Sequence, residues 1–190
     1  MEDQLNSLHY RDGRAEDIRE ISDLICFANS HIVMELMELI TPEMTMSECI
    51  ARMLHLNAGY AKTENCIVAA REGGIVGMVF LFPAVSFDYS ILDLPKSLGN
   101  GMSGFFNPAF GEKTMHYIHS FAVWPEYQNK GIGRTLLSLA REKARRVGSV
   151  ALTVGTSESN PASHRTYEAA GFEVVGSELL VGMDIMECRL

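Results

Sequence analysis

The apolar residues of this chain recur with two spacings, one typical of helices and one typical of strands. From Glu16 onward they return every three or four positions, which predicts a first helix. Thr45 and Glu48 form the pattern of a capping box ahead of another such stripe, so a second helix is predicted to begin after Thr45. A third helix is predicted to begin at Ile132, where the helical spacing of apolar residues resumes.

Short apolar runs rich in β-branched and aromatic residues lie between these helices and predict strands. The predicted strands are Leu5–Tyr10, Cys66–Arg71, Ile75–Phe82, His116–Val123, Val150–Val154, Phe172–Val175 and Val181–Cys188. Two of them flank Glu72-Gly73-Gly74, a turn sequence that predicts a hairpin. The length of 190 residues favours one domain with a full hydrophobic core.

The strand His116–Val123 carries two histidines. Regular alternation along a strand predicts that Tyr117, His119, Phe121 and Val123 share one face, with the intervening residues on the other. His116 and His119 then point in opposite directions, which argues against a metal site of the H-x-x-H kind. Since no other histidine or cysteine cluster has zinc spacing, we expect no metal.

Net charge and composition narrow the classes of partner. The chain has 16 basic and 24 acidic residues, and its net charge of −8 argues against general nucleic-acid binding and weakly favours amine partners. The polar Met1–Tyr10 segment lacks the pattern of a signal peptide, and no run of eighteen apolar residues occurs. We therefore expect a cytoplasmic protein without a membrane partner.

The four cysteines form no C-x-x-C pair. They are Cys26, Cys49, Cys66 and Cys188. Because they fall in predicted helices and strands, we expect buried, reduced thiols that behave as small hydrophobic residues, and we assign them no chemistry.

Between the central strand and the third helix, the sequence predicts a phosphate-binding turn. Pro125 ends the ladder of the strand, and Gly131 and Gly133 stand at the start of the helix. The first N–H groups of a helix have no intrahelical partner and lie at the positive end of its dipole, which suits a pyrophosphate. The alternative is a helix that begins with two glycines for structural reasons alone.

The residues around this turn exclude two other types of glycine-rich phosphate-binding motif. A dinucleotide fingerprint needs a third glycine where this chain has Leu136. A Walker A loop ends in Gly-Lys-Ser or Gly-Lys-Thr, whereas Lys130 precedes the glycines here.

A fourth helix is marked at both ends. Asn160 is a predicted N-cap, Pro161 occupies the first helical position and Gly171 ends the helix. Ser163 and Tyr167 are four residues apart and therefore share a face of this helix. Together with Asn160 they are predicted to face one ligand.

These two segments resemble the two cofactor motifs of the GNAT N-acetyltransferase superfamily. The first is Gln128-x-x-Gly131-x-Gly133 preceded by Phe121-Ala122-Val123-x-Pro125-x-Tyr127, and the second is Asn160-Pro161-Ala162-Ser163-x-x-x-Tyr167-x-x-x-Gly171-Phe172. Two ordered motifs at this separation are far more specific than either alone. The resemblance covers Tyr117 to Val175, about a third of the chain.

The resemblance implies a single α/β domain over residues 1–190 with the GNAT (acyl-CoA N-acyltransferase) fold, a mixed central β-sheet flanked by helices. It implies direct transfer of an acetyl group from acetyl-CoA to a primary amine in a ternary complex, without a metal. The acceptor can be a small-molecule amine or a peptide amine, and a homodimer is in keeping with the family. The alternative is a non-catalytic acyl-CoA-binding or sensor module of the same fold.

The resemblance also implies the cofactor-binding residues. Those expected to bind through the main chain of the turn are Gln128, Asn129, Lys130, Gly131, Ile132, Gly133 and Arg134. Those expected beside the pantetheine arm or the reacting carbonyl are Phe121, Ala122, Val123, Asn160, Ser163 and Tyr167. In relatives, the central strand and its neighbour splay apart to admit the arm.

His119 is the first candidate for the general base, because an imidazole titrates near neutrality and its strand leads into the cofactor turn. Members similar to serotonin N-acetyltransferase carry a histidine pair that matches Tyr117 and His119, and other relatives carry a glutamate near Tyr117. This chain has only the second histidine and lacks the glutamate. Packing with one hydrogen bond is the structural alternative for His119, and Glu126 acting through water is another base.

Tyr167 is the candidate proton donor to the departing thiolate. Moving a proton from a phenol to a thiolate is uphill by about 2 kcal/mol at ordinary pKa values, so hydrogen-bond donation is the expected role. A buried tyrosine with a purely structural hydrogen bond is the alternative.

Two segments are expected to border the acceptor. Met34–Ile40 is a predicted substrate lip whose alternative is core packing, because methionine fills irregular gaps. Residues 84–114 form a predicted insertion that covers the acceptor pocket, with a structural flap or a dimer contact as the alternatives. Neither segment identifies the acceptor.

Overall fold

A computed structural model of the chain describes residues 8–30, 45–57, 60–84, 114–178 and 183–190. The predicted substrate lip and nearly all of the predicted insertion lie outside these residues. None of the described helices is long and apolar enough to cross a lipid bilayer.

The described residues form four α-helices, three where apolar stripes predict them and a fourth where its end signals predict it. They are α1 (Ile18–Ala28), α2 (Met46–His55), α3 (Ile132–Arg146) and α4 (Pro161–Ala169). The capping box of α2 is confirmed, because the Thr45 hydroxyl accepts from the Glu48 N–H while a Glu48 carboxylate oxygen accepts from the Thr45 N–H at 2.6 Å. The N-cap of α4 is also confirmed, since the Asn160 side chain accepts from the Ser163 N–H at 3.1 Å.

The described strands form one seven-stranded sheet in the order β1-β2-β3-β4-β5-β7-β6. They are β1 (His9–Asp12), β2 (Cys66–Arg71), β3 (Gly74–Pro83), β4 (Met115–Val123), β5 (Ala151–Ser157), β6 (Glu173–Glu178) and β7 (Met183–Arg189). Among these described strands only β4 and β5 pair in parallel, so the sheet is mixed as predicted. The fifth strand runs three residues beyond its predicted end, because β7 pairs with it as far as Ser157.

Helices cover both faces of the sheet, and each face has its own hydrophobic core. On one face, α1 and α2 bury residues such as Ile21, Leu54 and Phe80. On the other face, α3 and α4 bury residues such as Leu136 and Tyr167. This gives a three-layer arrangement in which the sheet separates two compartments.

The parallel pairing of β4 with β5 stops about halfway along the two strands. Their parallel pairing begins at Met115 with Ala151 and ends at Ile118 with Val154. Beyond that point β4 remains paired with β3, and β5 remains paired with β7. The two strands therefore enclose an opening, which we call the wedge, between residues 119–123 of β4 and 155–157 of β5.

A β-bulge at His119 corrects the predicted alternation along β4. Phe80 of β3 pairs with Ser120 while Leu81 pairs with Ile118, so His119 is an extra residue on β4. An extra residue shifts the alternation of every side chain after it. Tyr117 and His119 consequently lie on the α1 face, whereas Phe121 and Val123 pack with the α3 core, and the prediction that all four share one face is wrong.

Candidate active site

The predicted phosphate turn is a tightly constrained link between β4 and α3. After a single 3-10 turn at Pro125–Tyr127, the Gln128 side chain donates to the Val123 carbonyl at 2.9 Å. Asn129 and Gly131 adopt left-handed backbone conformations with φ of 59° and 82°. These contacts hold the turn against the end of β4, so the start of α3 lies beside the wedge.

The N-terminus of α3 has features that favour the binding of an anion. No side chain caps the helix at Gly131, and its first turn contains no acidic residue. Among the described residues, no hydrogen-bond acceptor is found for the main-chain N–H groups of residues 129–134. Such N–H groups at the positive end of a helix dipole are a favourable binding site for phosphate groups.

The two glycines of the motif serve different purposes. Position 131 favours glycine because the backbone there is left-handed, not because space is short: a Cβ on Gly131 would meet no atom within 4 Å. Gly133 has an ordinary helical backbone, but its Cβ would lie 3.0 Å from Cζ of Phe121. The second glycine is therefore explained by a close approach of Phe121, which the bulge at His119 turns toward α3.

Ser163 and Tyr167 share a hydrogen bond on α4, and Asn160 caps the start of this helix, whereas their facing one ligand stays a prediction. The Tyr167 ring lies 5.8 Å from the ring of Phe121 and 5.4 Å from that of Phe172. Burial raises the pKa of Tyr167 well above its ordinary value, the nearby Tyr117 raises it further, and a hydrogen bond with Ser163 opposes the rise. Tyr167 is therefore a neutral hydroxyl at physiological pH.

The edge of β4 that borders the wedge offers main-chain groups. The Trp124 N–H donates to the Val76 carbonyl of β3 at 2.9 Å. Because the directions of these groups alternate along a strand, the N–H groups of Phe121 and Val123 face the wedge, whereas that of Ala122 faces β3. The main-chain N–H groups of Phe121 and Val123 therefore have the direction that pairing with a ligand in the wedge requires. The Ala122 side chain packs in the α1 core.

His119 is buried beside the wedge on the α1 face. Its Nδ1 lies 2.6 Å from the Ser120 hydroxyl, and its ring lies 5.7 Å from the rings of both Phe80 and Phe82. The Asn29 side chain at the end of α1 donates to the same hydroxyl at 2.9 Å. Sequence reasoning missed Ser120 and Asn29, since only the bulge brings two consecutive residues of β4 to one face.

Tyr117 also contributes a polar group that sequence reasoning left without a role. Its ring lies 6.1 Å from that of Phe82, and burial raises its pKa to about 12, a rise that a hydrogen bond from the Gly155 main chain opposes. Gly155 is the first residue of β5 beyond the paired segment. The hydroxyl of Tyr117 therefore lies at the closed end of the wedge.

The charged residues of the turn lie at the surface. Glu126 is exposed, and its carbonyl accepts from the Lys130 ammonium at 2.8 Å. That ammonium also lies 5.3 Å from the centre of the Tyr127 ring, whose hydroxyl accepts from Arg71 at 3.0 Å. Lys130 and Arg71 therefore place two positive charges near the N-terminus of α3, while Glu126 lies in solvent rather than in the wedge.

A groove between α3 and the end of α4 begins at Arg134. Its volume is about 360 Å³, and it is lined by Arg134, Ser138, Arg141, Ala169, Ala170 and Gly171. Arg141 donates to the Ala170 carbonyl at 3.0 Å, so the groove has a fixed wall. Arg134 is exposed at the end of the groove that lies nearest the phosphate turn.

The sequence profile of the acetyltransferase (GNAT) family matches residues 33–172, nearly three quarters of the chain. The chain belongs to the GNAT acetyltransferase family. This agrees with the two motifs and with the wedge beside an uncapped helix N-terminus.

The names of two curated relatives refer to amino-acid substrates. The L-methionine sulfoximine/L-methionine sulfone acetyltransferase of Salmonella typhimurium is 40% identical over 65 residues, which are 34% of this chain and 38% of that protein. The L-amino acid N-acyltransferase MnaT of Escherichia coli is 38% identical over 64 residues, which are 34% of this chain and 37% of that protein. The matches thus span under two fifths of either relative.

Solved structures show the same fold over almost the whole chain. An N-acetyltransferase from Staphylococcus aureus is 19% identical with a TM-score of 0.76, and the match covers 96% of this chain and all of the other. The PaiA N-acetyltransferase from Thermoplasma acidophilum, solved in complex with coenzyme A, is 15% identical with a TM-score of 0.62, and the match covers 97% and 99% of the two chains.

The contact between Gly133 and Phe121 generates a stability prediction. Replacing glycine by alanine in a helix normally stabilises it by up to about 1 kcal/mol. Gly133→Ala should instead lower the free energy of unfolding by about 1–2 kcal/mol, because the new Cβ meets the Phe121 ring. Denaturant unfolding measures the change.

The control for this prediction is the same substitution in a Phe121→Leu background. Leucine has no atom at the Cζ position, so Gly133→Ala should there be neutral or stabilising. Additive effects of the two substitutions would contradict the proposed contact.

Proposed function

We propose that this protein transfers an acetyl group from acetyl-CoA to the primary amine of a small acceptor by direct attack within a ternary complex. The observation that carries the proposal is the wedge between β4 and β5, which opens beside the uncapped N-terminus of α3. The wedge connects the two faces of the sheet. Donor and acceptor can therefore approach the same point from opposite faces.

The donor side of the proposal rests on the phosphate turn. The main-chain N–H groups of residues 129–134 would hold the pyrophosphate, and the left-handed Gly131 keeps a side chain away from it. The N–H groups of Phe121 and Val123 would pair with the pantetheine arm along the open edge of β4. The thioester supplies the activated acyl group, and the protein supplies its position.

The acceptor side rests on the α1 face of the wedge. His119 and Ser120 lie there under the end of α1. We propose an α-amino acid or a related small amine as the acceptor class, because the names of both curated relatives refer to amino-acid substrates. A peptide amine, a homodimer and a cytoplasmic location stay predictions.

The amine must lose a proton before it can attack. A lysine-like amine with a pKa near 10.4 requires about 4.6 kcal/mol to be presented unprotonated at pH 7, and a less basic α-amino group requires less. We propose that His119 accepts this proton as general base, since its imidazole is on the acceptor face and Nδ1 is held by Ser120. Glu126 is a weaker candidate, because its side chain lies in solvent.

Tyr167 is proposed to stabilise the sulfur that leaves. Because burial raises the pKa of Tyr167, full proton transfer from this phenol to a thiolate is less favourable than at ordinary pKa values. Donation of a hydrogen bond from the neutral hydroxyl requires no such transfer. The thiolate can then take its proton from solvent after release.

Substitution of the two proposed catalytic residues tests this mechanism. His119→Gln should lower kcat by about 100-fold or more, and Tyr167→Phe by about 10- to 100-fold, because each removes one polar group from the reaction. Affinity for acetyl-CoA should be retained. Thiol release with a panel of amino acids and other amines measures turnover, and calorimetry measures binding.

Matched controls for these variants lie far from the wedge. His55→Gln at the exposed end of α2 and Tyr10→Phe in β1 make the same chemical changes and should leave turnover unchanged. Wild-type protein that binds acetyl-CoA but acetylates no amine would favour the sensor module. Two silent substitutions in an active enzyme would refute the assigned roles.

The pH dependence of kcat provides a separate prediction. Burial raises the pKa of Tyr167 well above its ordinary value, so the neutral, donating form of this phenol persists as the pH rises above 10. The rate should therefore rise as the amine loses its proton and should show no decline between pH 8 and about 10. A decline in kcat within that range, in protein that stays folded, would contradict the donor role.

A further inference from the structure

Tyr117 places a second phenol at the closed end of the wedge. It precedes Ile118, the last residue of β4 that pairs with β5. A Cβ built on Gly155, the first residue of β5 beyond the paired segment, would lie 3.4 Å from the Tyr117 hydroxyl. The side chain thus reaches across from β4 to β5 where the strands begin to part.

The surroundings of Tyr117 fix its orientation. Its ring and that of His119 pack against Phe82, at 6.1 Å and 5.7 Å, so both side chains lie on the α1 face. Its oxygen accepts from the Gly155 N–H, which β4 no longer engages after the strands separate. Since that acceptor position is used, the hydroxyl hydrogen is directed away from Gly155.

Tyr167 approaches the same point from the other face. Its ring packs against Phe121 and Phe172 in the α3 core, and it lies close enough to Tyr117 for the charge of one phenol to disfavour ionisation of the other. The two rings therefore pack on opposite faces of the sheet, and the Tyr167 phenol lies near Tyr117, which borders the end of the wedge.

We propose that the Tyr117 hydroxyl donates a hydrogen bond to the thioester sulfur from the α1 face, opposite Tyr167, as the carbon–sulfur bond breaks. This inference rests on the proposed function. In the step, the nitrogen of the neutral amine forms a bond to the carbonyl carbon and the carbon–sulfur electron pair passes to sulfur. The nitrogen then loses its second proton to solvent, because His119 already holds the first. Tyr117 remains neutral and loses no proton, so no further reactant is needed.

The consequence is a measurable change in the thiol of bound coenzyme A. Two neutral O–H donors stabilise a thiolate over a thiol, and they lower the pKa of the bound thiol. Tyr117→Phe removes one donor and keeps the ring. Ultraviolet absorbance of the thiolate, followed through a pH titration of the CoA complex, reports this pKa without any turnover.

We expect Tyr117→Phe to raise the pKa of the bound thiol by about one unit and to lower kcat by about tenfold or more, with the KM for acetyl-CoA within about twofold of wild type. Tyr10→Phe in the edge strand β1 is the matched control and should change neither quantity. An unchanged thiol pKa and kcat would overturn the proposal. An unchanged kcat with a raised KM for the amine would also overturn it and make Tyr117 an acceptor contact.

The titration separates this inference from the proposed function. If wild-type protein binds CoA but acetylates no amine, the proposed function fails, yet the thiol pKa still decides the role of Tyr117. If wild-type protein binds no CoA, both are refuted. Thermal unfolding checks that Tyr117→Phe, which removes only the hydroxyl and keeps the ring packing, is folded.

Discussion

The parting of β4 from β5 is the constraint on which the rest of the site depends. Parallel strands ordinarily continue their ladder, but here the pairing stops at Ile118 and Val154 while each strand stays bound to its other neighbour. The opening is therefore held by hydrogen bonds on both outer sides. It exposes unpaired main-chain groups to a ligand without loosening the sheet.

The bulge at His119 decides what faces each side of this opening. The extra residue keeps Tyr117, His119 and Ser120 toward α1 and turns Phe121 toward α3. Phe121 then fills the space beside Gly133 and Tyr167. One inserted residue thus places the proposed base on the acceptor face and completes the packing around the proposed donor to sulfur on the other.

Local signals predicted the parts of the structure that local energetics determine. The capping box at Thr45, the hairpin turn before Gly74 and the capped start of α4 at Asn160 each involve residues within a few positions of one another. The turn between β4 and α3 was predicted for the same reason, and its binding of phosphate stays a prediction. Gly131 in this turn has a left-handed backbone conformation, which glycine adopts more readily than other residues.

Long-range pairing explains what the sequence could not predict. The bulge exists because β3 pairs with Ser120 and Ile118 but not with His119, and no residue of β4 marks that choice locally. The place of Tyr117 at the end of the wedge depends on where β5 turns away, and the partnership of Ser120 with Asn29 joins residues 91 positions apart. Regular alternation therefore assigned Phe121 to the wrong face.

Calorimetric titration with acetyl-CoA tests the central claim most directly, when wild-type protein is compared with Gly131→Glu and Gly148→Glu. Both glycines have left-handed backbones, with φ of 82° and 79°, and a Cβ at either would meet no atom within 4 Å. The two variants should therefore lose similar stability, but only Gly131 lies at the N-terminus of α3. The account predicts tight binding by wild type and by Gly148→Glu and a loss of binding in Gly131→Glu. Equal affinity in all three proteins, or no binding by folded wild type, would contradict it.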